Sequence, residues 1–174
     1  MNTDMLNVLK ERRSIRRFKP EQIRDDELAA VLEAATFAPS AMGRQPCVIV
    51  AVQNKEDIAQ LSTMNAEVMG KSIDPYYGAP TIVLVFSAAS GVMPVEDGCA
   101  VMTYLLAAAA AAGLGACWIN RERQMFDSPE GKALLKKWGL TGDYVGIAGC
   151  SLGYIDGKSP DPAPRKDGYT LRIR

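Results

Sequence analysis

Apolar residues recur along this chain with two different spacings, and the alternation between them predicts an ordered series of helices and strands. Met5, Val8 and Leu9 share one helical face and predict a first helix from Thr3 to about Arg13. A second is predicted to begin at Asp25 or Asp26, where acidic side chains suit a helix N-terminus, and to bury Leu28, Val31, Leu32 and Ala35 before Pro39 ends it. Asn54, followed three residues later by Asp57, marks a third helix carrying Ile58, Leu61 and Val68. Pro94 opens an alanine-rich helix that Gly113 and Gly115 close, and Ser128-Pro129 opens another that Gly139 stops. Cys47 to Val52 and Thr81 to Phe86 are unbroken Val/Ile-rich runs of the kind covered on both faces, which predicts them as the centre of a sheet. Short strands around Ala116 to Ile119 and Val145 to Leu152 complete the set, and the alternation without internal repeat predicts helices on both faces of one sheet. From Asp156 to Asp167 no apolar period remains.

At 174 residues and 48% hydrophobic composition, the chain suits one domain spanning residues 1–174, with 156–174 as a tail. Twenty basic residues balance twenty acidic ones, which removes any general attraction to nucleic acid or to an anionic membrane. Cys47, Cys99, Cys117 and Cys150 are too widely spaced for a metal cluster and read as small apolar residues in a reducing compartment, so a cytoplasmic location is expected. Met1-Asn2-Thr3-Asp4 lacks the basic start and apolar run of a secretory signal. Gly98 to Asn120 is uncharged and long enough to cross a bilayer, but its alanine run from Ala107 to Ala112 lacks the Leu/Ile/Phe density of a membrane span. Such a helix suits packing on every side, either in a monomer core or against a second subunit.

Histidine is absent, which excludes a histidine triad or proton shuttle and directs attention to carboxylates, cysteine or a cofactor. The sharpest local feature is Arg12-Arg13-Ser14-Ile15-Arg16-Arg17, whose guanidinium groups match phosphate oxygens while Ser14 adds a neutral donor. Arg12 and Arg13 could equally complement the negative end of the first helix, with Arg16 and Arg17 facing solvent. A second feature, Ala38-Pro39-Ser40-Ala41-Met42-Gly43-Arg44-Gln45-Pro46, is a rigid link that brings Ser40, Arg44 and Gln45 to one end of a strand, or else an ordinary connection with solvated polar residues. No Walker loop or Gly-x-Gly-x-x-Gly turn accompanies them, so a cradle of backbone amides is not expected.

Arg12 to Phe18, Ala38 to Pro46, Ala79 to Val85, Gly113 to Trp118 (Gly-Leu-Gly-x-x-Trp), and Gly-Tyr followed by Pro-Arg-Lys together form five ordered motifs across nearly the whole chain. In content and order they resemble the nitroreductase family of flavoproteins. The resemblance implies an α+β fold, with a mixed, mainly antiparallel central sheet flanked by helices, in an intertwined homodimer whose FMN lies between the subunits. By the same resemblance Arg12, Ser14 and Arg16 would hold the FMN phosphate and ribityl chain, with Arg13 near the pyrimidine end of the ring. Pro39, Ser40 and Gln45 would approach that flavin from the partner chain, Trp118 and Ile119 could line it or simply belong to the core, and Arg165 and Lys166 would close on the phosphate. The tail that carries this last pair also has the composition of a disordered terminus.

One stretch departs from the family pattern: a glycine or Glu-Gly pair is expected where the backbone meets the flavin N5 edge, and this chain has Asn120, Arg121 and Glu122. The N5 donor is therefore left open. The resemblance further implies that NADH or NADPH reduces the flavin and that a nitroaromatic, quinone or similar organic acceptor reoxidises it in a ping-pong cycle, chemistry that asks the protein for no acid, base or nucleophile of its own. Other reactions of such flavoproteins (dehalogenation, flavin breakdown, dehydrogenation of small metabolites) and storage or sensing without turnover stay open, and a phosphate- or nucleic-acid-binding module is disfavoured by the zero net charge. The Pro94 to Ala112 helix, with Tyr169 to Arg174 reaching across, is the expected dimer interface.

Overall fold

A computed structural model of the chain describes residues 3–174; Met1 and Asn2, half of the N-terminal tetrapeptide read above, lie outside the described residues. Four strands, β1 (Cys47–Val52), β2 (Thr81–Ala88), β3 (Gly115–Ile119) and β4 (Tyr144–Gly153), form one sheet in the order β1-β2-β4-β3, antiparallel at every pairing. Among the described residues six α-helices surround it: α1 (Thr3–Glu11), α2 (Asp25–Thr36), α3 (Lys55–Met69), α4 (Pro94–Ala111), α5 (Glu122–Asp127) and α6 (Pro129–Lys137).

Alternation along the strands divides their side chains between two cores. Val83, Val85, Ala148 and Cys150 point to one face, where Val31 and Ala35 of α2 and Met102, Leu105 and Ala109 of α4 cover them. Ile82, Leu84, Phe86 and Cys117 point to the other, against Leu61 and Met64 of α3, Met125 and Phe126 of α5, and Leu134 of α6. The expected α+β arrangement, helices on both faces of one sheet, is what the chain forms; the sheet expected to be mixed and mainly antiparallel is antiparallel at every strand pairing, with only the Ser14–Ala116 bridge parallel.

The local signals act as their chemistry requires. Asn54 caps α3 by accepting the Asp57 N–H at 3.0 Å, and Ser128 caps α6 by accepting the Gly131 N–H at 3.1 Å. Three expectations need correction. The run Cys47–Val52 is an edge strand, only half-buried over most of its length, because among the described residues nothing pairs with its outer side; β2 alone of the two apolar runs is central. The first helix stops at Glu11 instead of Arg13, since the chain turns there and extends along β3. Helix α5 was not anticipated: a single charged turn and a half, ERQMFD, offers too short a window for a helical period.

Among the described residues no helix is long and apolar enough to cross a membrane. Helix α4 buries one face through Val101, Met102, Leu105 and Leu106 and leaves Tyr104 of the opposite face, and Val95 in its first turn, exposed.

Candidate functional site

After α1 ends, residues 14–18 run extended beside the sheet. The Ile15 N–H donates to the Ala116 carbonyl at 2.9 Å, Ser14 bridges Ala116 in parallel, and Phe18 bridges Ile155. An extended backbone sends successive side chains to opposite sides. Ile15 is buried, Arg17 pairs with Asp156 at 3.0 Å, and the Arg13 guanidinium turns back to donate to the Lys10 and Arg12 carbonyls, both at 2.7 Å. Arg13 thus caps the end of α1, as the helix-dipole reading required, yet its Nε is buried with no partner.

Arg12, Ser14 and Arg16 occupy the alternate side. Arg12 and Arg16 make no salt bridge among the described residues; Arg16 stands 5.8 Å over the Tyr77 ring. These cations and the Ser14 hydroxyl gather around Cys117, whose thiol burial pushes upward in pKa while they pull it back. The tail returns over this segment. Pro162, Ala163, Pro164 and Arg165 line a cavity of about 720 Å³ together with Leu9, Lys10, Arg12, Arg13 and Ser14. Arg165 donates to the Ala163 carbonyl at 2.7 Å, and Lys166 lies 5.5 Å over the Tyr169 ring.

Ser40 and Gln45 belong to a different place. They line a cavity of about 400 Å³ with Leu32, Thr36, Cys47, Ile49 and Val101, and share no lining residue with the arginine cavity. Their loop is tightly held: the Ser40 hydroxyl accepts the Gln45 N–H at 2.9 Å, the buried Asp97 of α4 accepts the Ala41 N–H at 2.7 Å, and Met42 and Gln45 both adopt left-handed backbone. Pro39 beside them is exposed. Within one chain, then, the residues expected at one ligand separate into two groups.

Trp118 and Ile119 diverge as neighbours on a strand must. Trp118 is half-buried on the α2/α4 side, whereas Ile119 is sealed into the α3/α5/α6 core, so only its backbone is available to a ligand.

Sequence reasoning missed a polar cluster at the end of β3. Arg121 takes φ 88, and its Nε donates to Asn65 Oδ1 at 2.7 Å. Buried Asn65 donates from Nδ2 to the Asn120 carbonyl at 3.0 Å and toward the Tyr76 hydroxyl at 3.3 Å. Glu122 is fully buried with no well-formed hydrogen bond to its carboxyl oxygens, and desolvation, only partly offset by Arg121 and by the nearby Gly149 N–H and Tyr76 hydroxyl, pushes its pKa up to about 8. Room for it exists because a Cβ at Gly149 would collide with its carboxyl, and one at Gly146 would press on its backbone. That pair of strand glycines, spaced three apart in β4, was the only signal available in the sequence.

The family profile described as "Nitroreductase family" matches residues 9–154. An Archaeoglobus fulgidus protein provisionally named an NADH dehydrogenase/NAD(P)H nitroreductase is 31% identical over 172 residues, covering 95% of this chain and 90% of its own length. Among solved structures, a Bacteroides fragilis nitroreductase with bound FMN shares 28% identity at a TM-score of 0.90, covering 98% of this chain and 99% of that one. A Desulfitobacterium hafniense nitroreductase with bound FMN shares 26% at 0.88, covering 99% and 100%. The chain belongs to the nitroreductase family.

Proposed function

We propose that this protein is an FMN-dependent oxidoreductase that takes reducing equivalents from NADH or NADPH and delivers them to a small organic acceptor such as a nitroaromatic or quinone. The observation that carries the reading is the arginine cavity, where Arg12, Ser14 and Arg165 converge with no carboxylate among the lining residues. That donor set fits a phosphate ester: guanidinium forks supply charge-assisted bonds, and Ser14 supplies a short neutral one. The orphaned Arg13 Nε fits as well, being a buried donor with no acceptor of its own. FMN, when bound, supplies the hydride chemistry.

In this reading Arg12, Ser14 and Arg16 bind the phosphate end, Arg165 and Lys166 close over it, and Arg13 sets positive charge at the pyrimidine edge. Trp118 and the backbone of Ile119 border the ring. Ser40, Gln45 and Pro39 come from a second copy of the chain, and their separation from the arginine cavity within one chain supports this. The exposed apolar side chains of α1 (Leu9), of α4 (Val95, Tyr104) and of the tail (Leu171, Ile173) offer a second copy apolar surface to cover. Residues 1–174 act as one domain, with 156–174 reaching the partner.

Purified protein is expected to be yellow, to sediment as a dimer, and to lose its flavin absorbance when mixed with NADH or NADPH without oxygen. A colourless sample that stays colourless after incubation with FMN and desalting rejects the reading. Retained flavin that neither nicotinamide bleaches rejects the enzymatic part alone.

A further inference from the structure

The turn that leaves β3 carries Arg121 in a left-handed conformation, φ 88 and ψ 6, which residues with a Cβ avoid. Glycine is the residue that adopts it freely, and glycine is what the family pattern leads one to expect nearby. This chain keeps the backbone geometry without the glycine. Something else must hold it.

That something is Asn65, which is wholly buried on α3. Its Oδ1 accepts Arg121 Nε at 2.7 Å, and its Nδ2 donates to the Asn120 carbonyl at 3.0 Å. The amide cannot be turned over, because the guanidinium only donates and the carbonyl only accepts. Tyr76, itself buried, backs the amide through its hydroxyl at 3.3 Å and is anchored in turn by Ser151, whose Oγ donates to the Tyr76 carbonyl at 2.9 Å. A trans peptide directs its C=O and N–H to opposite sides. With the Asn120 carbonyl drawn inward to Asn65, the Arg121 N–H faces away from that core, and no acceptor for it is present among the described residues.

We propose that Asn65 is a positioning residue: it clamps the Asn120–Arg121 peptide in its left-handed geometry and so presets the Arg121 N–H as the backbone donor facing the flavin ring. The proposal rests on the FMN reading above. It gives the chain's departure from the family's glycine a physical cause, since a side-chain clamp replaces the conformational freedom of glycine.

The test is a cycle of Asn65→Ala, Arg121→Gly and the double variant, read by fluorescence titration with FMN, by the midpoint potential of the bound flavin, and by urea unfolding without FMN. Asn65→Ala is expected to weaken FMN binding roughly tenfold, as loss of about one such hydrogen-bonded anchor does, and to move the flavin potential. Adding Arg121→Gly, which reaches the same backbone geometry without a clamp, is expected to return both towards wild type while leaving the unfolding midpoint depressed. Asn65→Leu, near in volume and uncharged but lacking both hydrogen-bonding groups, is expected to move affinity and potential in the same direction as Asn65→Ala even if the latter proves too unstable to purify. Affinity and potential unchanged in folded Asn65 variants, or changes that Arg121→Gly does not reverse, overturn the proposal. Wild-type protein that takes up no FMN overturns the functional reading instead, whereas FMN-binding wild type with indifferent Asn65 variants rejects only the positioning role.

Discussion

Two regions of this molecule carry unbalanced charge, in opposite ways. Around Arg12 to Arg17 there are cations without enough acids; at Glu122 there is a buried acid with no ion-pair partner among the described residues. The first region opens on a cavity and keeps its charge in contact with water, where an unpaired guanidinium costs little. The second is fully buried, and there the carboxyl avoids the cost of a buried charge by holding its proton, with a pKa pushed up to about 8. An unpaired charge at a surface cavity is cheap to keep and free to meet a ligand, whereas the same imbalance in a core is resolved by protonation.

The largest expected effect comes from emptying the first region. Arg12→Ala combined with Arg16→Ala removes two charge-assisted contacts worth about 2 kcal/mol each and should weaken FMN binding on the order of a thousandfold, measured by fluorescence titration. Titration curves matching wild type would mean that these cations serve no phosphate.

For the second region the expected effect is a pH dependence. Glu122 has its pKa raised on folding, so its favourable contribution is complete below the ordinary carboxylate range, near 4.5, and is lost as pH climbs through about 8. The unfolding free energy of wild type from urea titration should fall across that window by up to about 1.4 kcal/mol per pH unit relative to Glu122→Gln, which carries no ionisable group there. Arg121, Tyr76, Cys150 and Asp74 also lie in this electrostatic neighbourhood, and all stay in place in the Gln variant. Parallel profiles for the two proteins would show that Glu122 is ionised in the fold.

The smallest effect separates the two sides of the arginine segment. Arg17 points away from Arg12 and Arg16 to an exposed pairing with Asp156, so Arg17→Ala should cost less than about 1 kcal/mol of stability. FMN affinity should stay within about twofold of wild type. A loss comparable to that of the Arg12/Arg16 pair would show that alternation does not decide which cations face the ligand.

Much of this architecture was legible because local chemistry and tertiary packing agree. Asn54 and Ser128 cap the helices they announce, and Thr81 to Phe86, apolar at almost every position, is buried on both faces. Cys47 to Val52 reads the same way yet lies at an edge, because an apolar run records that a strand is covered and not how many neighbours pair with it. At the candidate site, the arginine motif pointed to a phosphate, but the resemblance carried the assignment of individual residues. The Glu122 cluster was illegible: a Glu between two arginines reads as solvated surface, and only the absence of side chains at Gly146 and Gly149, two elements away, makes its burial possible. The left-handed Arg121 was equally hidden, since its stabilising partner Asn65 is 56 positions distant in the chain.

The hydrogen bond from Ile15 to Ala116 has a consequence for the life of the protein outside catalysis. It lays the basic segment along the otherwise open margin of β3, so the stretch expected to grip an anion also shields a strand from pairing with another molecule. Substitutions that weaken this pairing should therefore expose the margin of β3 and show themselves as loss of solubility before any loss of helical content.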